Sequence, residues 1–149
     1  FDLTGKAAIV VGGAGGIGEA TAQMYARKGA RVAIVDCKDN CPEVAAKIAE
    51  EFGVQVIGVK CDVTSQESVD AMMKAVLEAF GEINILAAMP GFVDLYRASD
   101  ISIATIEKHM SINAVGVFRV CQAVANQMIK QGKGGKMVCV NLPGRFYCN

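Results

Sequence analysis

Apolar residues fall in short unbroken runs, separated by segments with a helical repeat. Lys6–Gly12 (KAAIVVG), Arg31–Asp36 (RVAIVD), Val54–Lys60 (VQVIGVK), Ile83–Ala88 (INILAA) and Lys136–Leu142 (KMVCVNL) are the runs. Nearly continuous apolar stretches of this length mark strands covered on both faces. Residues 16 to 28 read as a helix closed by Gly29, and residues 41 to 52 as an Ala-rich amphipathic helix stopped by Gly53. The clearest helix follows Thr64 and Glu67, which match a capping box. Val69, Met72, Met73, Val76, Leu77 and Phe80 then form one apolar stripe at i, i+3, i+4, i+7, i+8 and i+11, and Gly81 ends it. Met89 to Asp100 reads as a loop with Pro90 and Gly91, and a long helical region runs from about Ser102 to Gln131.

Strands alternating with helices of this length give βαβ units, hence a parallel sheet. Right-handed crossovers place helices on both faces, so the expected class is α/β, doubly wound. In such sheets ligands bind beyond the carboxyl ends of the strands. The positions of interest are therefore Gly12–Gly18, Asp36, Cys61–Val63, Ala88–Gly91 and the residues from Asn141 onward.

Composition narrows the classes. At 149 residues the chain has the size of one domain, and 52% hydrophobic with 20% charged residues excludes a disordered chain. Fifteen basic and fifteen acidic side chains balance, so no overall field points to nucleic acid or an anionic membrane. No uncharged apolar stretch is long enough to predict a spanning helix. The first residues read as a strand approach with mixed charges rather than a signal peptide. Glu107 is the last acid; Lys130, Lys133 and Lys136 beyond it flank a Gly-rich turn and are expected in solvent. Six cysteines without a C-x-x-C pair, and a single His, predict reduced thiols in a cytoplasmic protein and no metal site. Cys121 and Cys139 sit in apolar runs, as core thiols do.

The chemistry starts at Gly12-Gly13-Ala14-Gly15-Gly16-Ile17-Gly18, between the first strand and the first helix. Glycines there permit a sharp turn, clear Cβ atoms from the path of a pyrophosphate and let helix pack on strand. The helix N-terminus then offers the amides around Gly15, Gly16, Ile17 and Gly18 to an anion. No Gly-Lys-Ser/Thr follows, so the loop is not a Walker A loop. Asp36 closes the second strand 18 residues after Gly18. A carboxylate there accepts hydrogen bonds from both adenosine ribose hydroxyls and repels a 2′-phosphate, which favours NAD over NADP. Lys38, two residues on, adds an opposite charge.

These residues resemble the short-chain dehydrogenases/reductases. The family pattern G-x-x-x-G-x-G is met by Gly12, Gly16 and Gly18; its adenine-pocket Asp by Asp62, with Val63 after it; its helix Asn by Asn113; its Gly-Gly entry to the fifth strand by Gly134-Gly135. The resemblance covers the whole chain. It implies a Rossmann-type domain over residues 1–149, incomplete at its C-terminal end relative to the family. It further implies NAD(P)-dependent interconversion of a small-molecule alcohol and a carbonyl such as a ketone, and a homo-oligomer. In the family a Tyr phenol is the acid/base, a Lys lowers its pKa, a Ser orients the substrate oxygen and an Asn supports a water relay. Asn113 matches the Asn, and Tyr147 stands nearest the Tyr position.

The chain also departs from the family. The N-N-A-G segment is Ala88-Met89-Pro90-Gly91, of which only Gly91 is kept. The Ser position aligns with Leu142, which cannot orient a carbonyl, and the family's Lys would fall past Asn149. Two further readings follow: a non-catalytic dinucleotide-binding relative, and an interaction module built on an uncovered fifth strand.

Overall fold

The computed structural model describes residues 1–140. Five strands form one sheet: β1 (Ala7–Val11), β2 (Arg31–Asp36), β3 (Val56–Lys60), β4 (Ile85–Ala88) and β5 (Lys136–Cys139). All pairs are parallel, in the order β3-β2-β1-β4-β5. The chain winds outward from β1 to β3 on one side, then returns to β4 on the other. The strand order thus reverses beside β1, where a cleft opens beyond the carboxyl ends of β1 and β4.

Alternation along β1 explains the two cores. Ala7, Ile9 and Val11 face α3 (Gln66–Phe80) and α5 (Val117–Gln131), packing with Val69, Met72, Val76, Leu86, Val120 and Val124. Ala8 and Val10 face α1 (Gly16–Arg27) and α2 (Cys41–Phe52), packing with Ala22, Ala26, Val44 and Ile48. Helices therefore cover both faces, as the continuous apolar strands require. Gly53, Gly81 and Gly132 end α2, α3 and α5 in the left-handed region.

Two local expectations are corrected. The cap of α3 is Ser65, whose hydroxyl accepts from the Ser68 amide at 3.2 Å, not Thr64. Thr64 is drawn off by Asp62, to whose Oδ1 it donates both its amide (2.8 Å) and its hydroxyl (2.7 Å). A nearby carboxylate outcompetes the helix end for that hydroxyl, and the cap moves one residue on. The region from Ser102 to Gln131 is helical without a break from Ile103, as expected, but not α throughout. It comprises α4 (Ile103–Met110), a π-helical segment (Ser111–Gly116) and α5. Cys139 is exposed rather than in the core, because β5 is an edge strand among the described residues; Cys121 is half-buried. Lys130, Lys133 and Lys136 are exposed as expected, and Lys133 reaches Glu82 at 3.0 Å.

Candidate functional site

Beyond β1 the glycine loop builds the floor of a cavity of about 520 Å³. Gly12 turns the chain at φ 78°, and a Cβ there would stand 2.5 Å from the Met89 carbonyl oxygen. A Cβ on Gly18 would drive into the Gly12 carbonyl. The glycines thus let α1 approach β1 and the loop after β4 at backbone contact. Gly15 caps α1 with extended backbone and no side-chain hydrogen bond. The first-turn amides of a helix have no intrahelical acceptor, and Gly15, Gly16, Ile17 and Gly18 all line the cavity. This bare, positively polarised cradle fits a diphosphate.

Asp36 forms the adjoining wall. Its Oδ2 accepts from the Ala14 amide at 3.1 Å, and its Oδ1 from the Lys38 amide at 3.3 Å and the Cys37 thiol at 3.6 Å. The carboxylate is thereby fixed against the glycine loop while still lining the cavity. Lys38 Nζ lies 3.3 Å from where a Gly15 Cβ would stand, so a cation leans over the loop. Cys37 and Cys61 line the same end. Burial first, and the Asp36 carboxylate second, raise the Cys37 thiol pKa; burial raises that of Cys61. Both stay protonated near neutrality.

Asp62 and Val63, just past β3, line the cavity on the side of Asp36. The two Thr64 hydrogen bonds hold the Asp62 carboxyl below its ordinary value, and Ser68 Oγ accepts from the Asp62 amide at 2.9 Å. Arg119 donates to the Val63 carbonyl at 2.5 Å, tying this turn to α5.

Past β4 the cavity is closed by Met89, Pro90, Gly91 and Phe92. Ala88 does not line it: the residue is wholly buried, with its carbonyl taken by the Val140 amide. Asn113 does not line it either. Its Nδ2 donates to the Phe92 carbonyl at 2.8 Å and its Oδ1 accepts from the Phe92 amide at 2.9 Å. The side chain expected in a water relay thus holds the loop. The His109 ring lies 5.2 Å from that of Phe92, and Lys108 Nζ sits 4.2 Å above the Phe92 ring. Tyr147, Leu142 and Asn141 lie outside the described residues.

The structure thus gathers Gly12, Gly15, Gly16, Ile17, Gly18, Asp36, Asp62, Val63 and Gly91 around one cavity. It adds Phe92, and also Ile112 and Val140, which sequence reasoning missed. Val140 follows β5 and could have been found from its strand-end position; Phe92 and Ile112 carry no sequence signal. Among the described residues no group of three or more His, Cys, Asp or Glu could hold a metal ion. No described helix is long and apolar enough to cross a membrane.

A doubly wound parallel sheet with a glycine-floored cleft at its strand reversal defines the class of this chain. Comparison with known proteins defines the family: residues 6–141 match the short chain dehydrogenase family model, and the chain belongs to that family. Among curated relatives it is 40% identical over 135 residues to a D-threitol dehydrogenase of Mycolicibacterium smegmatis, covering 90% of this chain and 52% of the relative. It is 38% identical over 136 residues to a sorbitol dehydrogenase of Cereibacter sphaeroides, covering 91% and 52%. It is 33% identical over 138 residues to an NAD-dependent glycerol dehydrogenase of Listeria innocua, covering 93% and 53%. A crystal structure of a short-chain type dehydrogenase/reductase from Mycobacterium marinum superposes with a TM-score of 0.88 at 33% identity, covering 93% of this chain and 56% of that one. The chain spans about half the length of the relatives it matches.

Proposed function

We propose that this chain forms the dinucleotide-binding half of an NAD-dependent oxidoreductase that interconverts a small alcohol, such as a polyol, and its carbonyl. The observation that carries the reading is the Asp36 carboxylate, pinned by the Ala14 amide at the cavity wall beside the glycine loop. There it can accept from two ribose hydroxyls and opposes a 2′-phosphate, which selects NAD. Gly12, Gly15, Gly16, Ile17 and Gly18 would receive the diphosphate, and Asp62 and Val63 would flank the adenine. Gly91 and the loop from Ala88 would border the nicotinamide side. When bound, the nicotinamide supplies a hydride acceptor or donor. A hydride leaves an alcohol carbon only as a proton leaves its oxygen, so an acid/base must stand beside it. Tyr147 is the residue of this chain proposed for that proton. Asn113 is a positioning residue that fixes the Phe92 rim. The names of the polyol dehydrogenases among the relatives support the substrate class. A homo-oligomer in the cytoplasm is part of the same reading.

Calorimetric titration tests it. NADH binds more tightly than NADPH by about tenfold or more, equivalent to about 1.4 kcal/mol, and Asp36→Ala removes the preference. Equal affinities for the two nucleotides in the parent chain would refute the reading of Asp36.

Leu142 at the family's Ser position favours a second reading, a dinucleotide-binding relative without turnover. It predicts NADH binding with no hydride transfer from polyols to NAD or from NADH to ketones; turnover abolished by Tyr147→Phe would overturn it.

A further inference from the structure

Among the described cysteines, one pair stands apart from the cleft. Cys121, on the sheet-facing side of α5, and Cys139, the last residue of β5, have their sulfurs 3.2 Å apart with no bond between them. The two are 18 residues apart in sequence and join the final helix to the edge strand. Their placements differ in a way that suits a two-step reaction. Among the described residues Cys139 is exposed and Cys121 is half-buried. Burial, and then the neighbouring Cys139 sulfur, push the Cys121 thiol up to about 12. The exposed sulfur meets an oxidant from solvent first, and Cys121 is held within its reach as the second.

We propose that Cys121 and Cys139 form an oxidation site at which a hydroperoxide closes an internal disulfide between α5 and β5. The Cys139 sulfur attacks the peroxide: an S–O bond forms, the O–O bond breaks, and hydroxide leaves, taking up the proton shed by the thiol. The Cys139 sulfenic acid is then attacked by the Cys121 sulfur. The S–S bond forms, the S–O bond breaks, and water leaves with the Cys121 proton. Two thiols lose two electrons, and with hydrogen peroxide the products are the disulfide and two waters. The site lies one residue before Val140, which lines the cavity. Closure therefore anchors that rim to α5. The proposal does not depend on what the cleft binds.

Peptide mapping tests it on the 149-residue chain carrying Cys148→Ser, treated with stoichiometric hydrogen peroxide, alkylated and digested with trypsin. The expected product is peptide 120–130 linked to peptide 137–145, released by dithiothreitol and dominant over every other cysteine pair. In 8 M urea the same treatment gives mixed pairs. In the Cys121→Ser variant, dimedone traps a sulfenic acid at Cys139. The proposal is overturned if native protein gives no excess of the 121–139 link over other pairs. It is equally overturned if Cys139 stays reduced while Cys37 or Cys61 oxidises.

Discussion

Asn113 holds the main chain of Phe92 by both of its polar ends, donating to the carbonyl at 2.8 Å and accepting from the amide at 2.9 Å. A side-chain amide engaging one residue in this way acts as a strand pairing of length one. It converts the loop after β4 from a free connection into a fixed rim of the cavity.

Asn113→Leu removes both hydrogen bonds and leaves the Phe92 amide and carbonyl without their partner. Each such loss costs about 1–3 kcal/mol when the group stays buried, and the pair is only partly buried, so about 2 kcal/mol is expected in urea unfolding. NADH affinity falls with it, while Asn113→Gln retains the weakness because its longer arm misplaces both contacts. Unchanged unfolding in Asn113→Leu would dismiss the clamp.

Gly18→Ala places a methyl group against the Gly12 carbonyl. Either α1 moves off β1 or the loop opens, and overpacking of this kind costs about 1–3 kcal/mol. Nucleotide affinity drops by about tenfold or more, as the amide cradle loses its geometry. Gly5→Ala is the control: a Cβ there meets nothing within 4 Å. Its positive φ of 78° confines the penalty to local backbone strain, and it leaves binding intact.

The Asp62 carboxyl sits below the ordinary 3.8 because the Thr64 hydroxyl and amide stabilise its charge. A lowered folded value means that this carboxylate favours the folded state once the pH is above the unfolded value, about 3.9. That contribution is lost as the pH falls through the folded value. A side-chain NMR titration is expected to give a midpoint below 3.8 in the parent. In Thr64→Val, which keeps the amide but loses the hydroxyl, the midpoint moves upward.

What could be read from the sequence depended on whether the cause was local. Strand runs such as Ala7–Val11 are visible because burial on both faces leaves no polar alternation. The glycine loop is visible because bare backbone is a residue-type requirement. The Ser65 cap was missed because Thr64 and Ser65 are chemically alike, and only the position of the Asp62 carboxylate separates them. The π-helical segment at Ser111–Gly116 was missed because its extra residue leaves an apolar stretch that still looks helical. Asn113 could be singled out as a polar residue in an apolar run, yet its partner is 21 residues away on a loop without a pattern. The approach of Cys121 to Cys139 likewise depends on how α5 lies against β5.

Gln131, the last residue of α5, repeats the Asn113 arrangement. Its Oε1 accepts from the Ile83 amide and its Nε2 donates to the Ile83 carbonyl, both at 2.9 Å. Ile83 precedes β4 and Phe92 follows it, so the segment 113–131 is pinned to both ends of the same strand. A helix turns about 100° for every residue. Adding or deleting a single residue within α5 would swing Gln131 away from Ile83 while Asn113 kept its own partner. The length of α5 is thus a spacing rule written into the chain beside the two amides themselves.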